Sequence, residues 1–156
     1  MTMHVLDFRV RDEIPVTLTR THLICELEAA FRTLDRCIAQ MDAVTASPQP
    51  DMARLATARF KLSQASNARR VLVQEACRQL LAEADAHRVA AIRALQRETT
   101  GYFRASTDHI RAWPPAAIVS DWPSYQDSSR AIRVKMKNGM RAEQQLLLPL
   151  LRGACP

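Results

Sequence analysis

Glu143 lies in the stretch KNGMRAEQQLLLPLL, residues 137–151, which otherwise reads as a strongly helical apolar pattern. At helical spacing the carboxylate falls on the same side as Ile132, Met136, Leu146, Leu147 and Leu150, one turn after Gly139. An acid on such a face must either grip a cation or meet a base, because an ionised carboxylate alone in an apolar interior is expensive. Two inward positions offer partners. Arg69 falls on the apolar face of an earlier helix and His109 near the inward face of a third. Either Glu143 meets Arg69 with His109 close by, or Arg69 snorkels outward and Glu143 sits in water at the end of the molecule. A lone inward histidine such as His109 is the pattern of a hydrogen-bonded core residue before it is that of a metal ligand.

His22 and Glu26 have metal-compatible spacing in HLICE. The 3.6-residue period turns both away from the apolar seam of their helix, so an exposed capping or ion-pairing role is expected. His4 and His87 fall in an arm and near a loop. The cysteines Cys25, Cys37, Cys77 and Cys155 include no close pair, which argues against a zinc site and for free thiols. The glycines are too few for a phosphate-cradling loop, and no serine or cysteine is marked as activated by a neighbouring base. No catalytic constellation emerges, and an enzyme is not expected.

Arg130, Arg133, Lys137 and Arg141 recur at steps of three and four. They read as a basic outer face on the fourth long helix, available to phosphates or simply solvated. Aromatic residues make up only 5% of the chain, too few for base-stacking platforms, so composition argues against nucleic acid as the partner. Tyr102, Phe103, Trp113, Trp122 and Tyr125 gather around one connection, as pocket lining or as packing for a proline-rich turn.

The elements that must carry these residues follow from period and punctuation. The chain has 156 residues, enough for one domain with a real core. Ile24, Leu27, Phe31, Leu34, Ile38 and Met41 define a helix over about 16–43. Ala58, Leu62, Ala65, Arg69, Leu72, Ala76 and Leu80 define a second over about 51–82, with Asp51 as its cap. Val89, Ile92, Leu95, Thr99, Phe103, Ser106, Ile110 and Trp113 define a third over about 86–113, stopped by Pro114-Pro115. SDWP then opens a fourth over about 122–151, with Ser120 or Asp121 as cap and Pro123 in its first turn. Four such helices joined by short loops predict an all-α, up-down-up-down antiparallel four-helix bundle. Residues 1–15, alternating Leu6, Phe8 and Val10 with charges, are expected to form an extended arm, and 152–156 a tail.

With the fourth helix laid out, RAEQQLLLPLL resembles the last ligand-bearing segment of hemerythrin-like, cation-binding four-helix bundles. HIRAWPPAAIVSDWPSYQDSSRAI resembles the junction before it. The resemblance covers about the last third of the chain and implies a di-iron centre between the helices. Glu143 matches the family's acidic ligand and Pro149 its closing proline, but the histidine position falls on Gly139, which cannot ligate. The second helix, SQASNARRVLVQE at 63–75, lacks the histidine that the family places there. The resemblance therefore implies a degenerate member that has lost its metal, with Glu143 and His109 as the remnants and iron as the cofactor only if others join them. The function expected is an interaction or sensory module, working through a protein partner or a second copy of itself. Weak or altered cation binding, and nucleic-acid binding through the basic face, are its rivals. Asp7, Asp12 and Glu13 interrupt the start where a signal peptide needs apolar residues, and no apolar run approaches a membrane span of about 20 residues. A cytoplasmic location is expected.

Overall fold

Short polar side chains set where the long helices begin. Thr19, Asp51, Asp85 and Asp121 each accept a hydrogen bond from the backbone N–H three residues on, at 2.9 to 3.3 Å. Each satisfies a donor that the first turn would otherwise leave orphaned. The computed structural model describes residues 18–153. These form α1 (Arg20–Thr45), α2 (Met52–Leu81), α3 (Ala86–Ala112), α4 (Pro115–Ser120) and α5 (Trp122–Leu151), with no strand among the described residues. The described residues are all-helical apart from short connections. The expected arm over 1–15 lies outside the described residues, as does the end of the tail from 154.

Contacts between side chains give the relative directions of neighbouring helices. Arg20 at the start of α1 pairs with Glu83 just beyond α2, and the Cys37 thiol reaches the Lys61 carbonyl further along. α1 and α2 are therefore antiparallel. Glu28 meets Arg152 past the end of α5, while Asp42 meets Arg133 nearer its start. Thr99 reaches Glu143 and His109 reaches Ser128, running α3 against α5.

The main core gathers Leu23, Leu27, Phe31, Leu34 and Ile38 of α1 with Val73, Ala76 and Leu80 of α2, Ile92 and Leu95 of α3, and Met136, Met140 and Leu147 of α5. Truncating any of these leucines to alanine removes apolar contact and leaves a void, at about 2–5 kcal/mol. A second cluster, with Met41, Leu55, Ile118, Trp122 and Tyr125, closes the end where α1 meets α2.

Two features depart from the expected outline. The connection before the last long helix contains a helix of its own. Pro114 cannot continue α3, Pro115 suits the first turn of α4, and Ile118 in α4 is fully buried. Moreover, the inward pattern of α3 fails in its second half. Ile92, Leu95 and Thr99 are buried, but Phe103 is 43% and Ile110 49% exposed. Pro149 lies inside the last turn of α5, which ends two residues later at Leu151.

Candidate functional site

Glu143 is fully buried on α5, and Arg69 of α2 lies against it, only 5% exposed. The Arg69 Nη1 to Glu143 Oε2 distance is 3.2 Å. The other carboxylate oxygen, Oε1, accepts a hydrogen bond of 3.1 Å from the Thr99 hydroxyl of α3. Three helices thus converge on one carboxylate. The ion pair has the distance of a hydrogen bond but not its alignment, and both Oε2 and the Arg69 Nε–H are left without a hydrogen-bond partner. The pair is held by charge more than by directed bonding. Burial pushes the Glu143 carboxyl above its ordinary value, outweighing the downward pull of Arg69 and of the Thr99 hydroxyl. The neighbouring Cys77 thiol is pushed up to about 11, first by burial and then by the negative Glu143. It stays a thiol at neutral pH and is no nucleophile.

The donors around Glu143 do not suit a metal ion. A guanidinium beside the carboxylate repels a cation, and Thr99 adds only a neutral hydroxyl. Among the described residues, no group of three His, Cys, Asp or Glu comes together in a metal-holding cluster. Gly139, one turn before Glu143, is where the resemblance places a histidine. A Cβ built there would lie 2.8 Å from the ring of Tyr102, so the aromatic ring covers the backbone where an imidazole would need to stand.

His109 does not join this cluster. It lies ten residues beyond Thr99 on α3, about 15 Å along a helix. Its Nδ1 is 3.1 Å from the Ser128 hydroxyl, which also accepts from the Trp113 indole N–H. The hydroxyl can therefore donate to Nδ1, assigning the ring proton to Nε2. Burial, then the charges of Arg59 and Arg133, hold the His109 pKa below its ordinary value, so the imidazole is neutral at pH 7. His109 stacks on Tyr125, whose ring also meets Trp113 and Trp122 with centroids 5.5 and 5.6 Å away. His22, Glu26 and His87 are exposed.

The basic outer face needs correction. Arg133 points inward and is 4% exposed. Its guanidinium donates to Asp42 Oδ1 at 2.6 Å, to the Ser129 hydroxyl, and to the Thr45 hydroxyl at 3.0 Å. These polar neighbours, two of them on α1, make an inward arginine affordable. Lys137 is half-buried and lies 3.8 Å from the other oxygen of Asp42. Arg130 is exposed but pairs with Asp127, leaving Arg141 exposed at the far end of the row. The four cations do not form a continuous outer ridge.

Sequence reasoning missed Asp42, Thr45 and Ser129. The signal was present in the spacing: Tyr125, Ser129, Arg133, Met136, Met140, Glu143 and Leu147 follow steps of four and three, and all are buried. Comparison with family models, curated proteins and solved structures finds no match to this chain.

Proposed function

We propose that this chain is a non-catalytic module of the hemerythrin-like kind, an up-down-up-down four-helix bundle in which an ion pair stands where relatives of that type hold metal. It works by interaction or sensing, with a protein partner or a second copy of the chain, in the cytoplasm. The observation that carries this reading is the fully buried Glu143 with the Arg69 guanidinium against it. Leaving a buried carboxylate without its partner costs about 3–5 kcal/mol, so a bundle that gives up a cation needs a replacement charge. Arg69 supplies one from the helix that would otherwise offer a histidine, and the Tyr102 ring fills the space beside Gly139. The antiparallel pairings of α1 with α2 and of α3 with α5 support the bundle topology. No helix among the described residues is long and apolar enough to cross a membrane.

The test is elemental analysis of untagged protein purified without chelator. Metal well below one equivalent per chain is the expected result. Two irons per chain with an oxo-bridge absorption band would overturn the proposal.

A further inference from the structure

We infer that the groove between α2, α3 and α5 binds a small monocarboxylate with an apolar body, its carboxylate held by Arg59 and its body lying along Leu62, Phe103, Ile110, Ile132 and Met136. The groove exists because the second half of α3, though tied to α5 through His109 and Ser128, leaves its side chains only partly covered. Beyond Thr99 that helix buries no side chain, whereas α5 opposite buries Tyr125, Ser129, Arg133 and Met136. The space left is about 290 Å³, just under the roughly 300–1,000 Å³ of small-molecule sites.

Charge selects among small ligands. The groove is lined by Arg59 and Arg133 and by no aspartate or glutamate. Arg133 is already committed to Asp42, Ser129 and Thr45. Arg59 is not: among the described residues no carboxylate lies within ion-pair distance of it. Its Nη2 donates to the Trp113 carbonyl at 3.1 Å, and its guanidinium lies 5.9 Å from the centroid of the Tyr125 ring. It is therefore held in place with N–H groups to spare, and a held donor loses little freedom when a ligand arrives. Ser63, one turn along α2 from Arg59, adds a hydroxyl to the same wall. Phe103 and Ile110, left half-exposed on α3, are the side chains an apolar body would cover.

This groove shares no lining residue with the Arg69–Glu143–Thr99 cluster, so the metal analysis leaves the inference untouched. The experiment titrates the whole protein with decanoate at neutral pH, below its micelle concentration. Binding is followed by calorimetry and by the fluorescence of Trp113 and Trp122, which pack on Tyr125. The expected result is one saturable site per chain, with decanol, the uncharged analogue, at least tenfold weaker. Arg59→Gln should weaken decanoate at least tenfold and leave decanol unchanged, with the melting temperature checking that it folds. Ser106→Phe, which fills the groove from α3, should abolish binding of both and keeps the test available if Arg59→Gln does not fold. Equal binding of decanoate and decanol, decanoate binding that survives Ser106→Phe, or no saturable binding would each overturn the inference.

Discussion

Among the described residues two guanidiniums are buried, those of Arg69 and Arg133, at 5% and 4% exposure. Arg133 sits near the end of the core and reaches a carboxylate, Asp42, that is itself half in water. Each of its three nitrogens donates to an oxygen. Arg69 sits mid-core, faces a carboxylate with no exposure at all, and keeps an unbonded Nε–H. The first arrangement is satisfied by hydrogen bonds and open to solvent on one side. The second is nearly closed to solvent and relies on one opposite charge. A buried charge with a solvated partner can be removed cheaply, because a carboxylate such as Asp42 then stays in water. A buried charge with a buried partner cannot, because what remains has no access to water.

The largest effect should come from Arg69→Met. Urea denaturation near neutral pH should show a loss of about 3–5 kcal/mol, the cost of stranding Glu143. A loss below about 1 kcal/mol would mean that the carboxylate finds water or another partner, and the contrast between the two arginines would collapse.

The pH dependence sharpens the same contrast. Glu143 has its folded pKa raised above the ordinary 4.5. The stability tied to its protonated form is fully present below that ordinary value and declines as pH rises through the folded pKa. Wild type should therefore lose stability relative to Glu143→Gln as pH increases from about 4.5 upward. The deficit of Arg69→Met should also shrink toward acid, where Glu143 takes up a proton. Urea midpoints measured across that range check both; a gap that widens toward acid would reverse the assignment.

Arg133→Met should cost less, about 1–2 kcal/mol, in line with losing hydrogen bonds whose acceptors include one exposed carboxylate. The smallest effect is expected at Gly139→Ala. Alanine gains about 1 kcal/mol of helix propensity, but its methyl must push the Tyr102 ring aside, at about 1–3 kcal/mol for overpacking. A net loss of about 1 kcal/mol, or 2–4 °C in melting temperature, is predicted. A gain would show that the ring moves freely.

The long helices were legible because their signals are local. Asp51 before α2 and Asp121–Pro123 before α5 act within one turn, and the apolar seam of α1 repeats without a break. α4 escaped because six residues between prolines carry no period to read. The second half of α3 misled for the opposite reason: Phe103 and Ile110 have the right spacing, but spacing does not say how closely a neighbouring helix covers them. Arg133 was assigned outward because Ile132, one residue earlier, fits an apolar seam better. What draws the guanidinium inside is Asp42 and Thr45, about 90 residues away in sequence and invisible to any helical period. Arg69 and Glu143 were recognisable as a question, two charges on apolar faces, since each breaks a pattern that the residues around it keep.

The coupling between Arg69 and Glu143 is measured most directly by a double-mutant cycle of Arg69→Met and Glu143→Leu, read by urea denaturation at pH 7.5. Both single variants should be strongly destabilised, and the double variant should lie near wild type or above it, so that the interaction is close to the sum of the two single losses, about 6 kcal/mol or more. Single effects that simply add, to within about 0.5 kcal/mol, would contradict the pairing and with it the replacement of a metal by a charge pair.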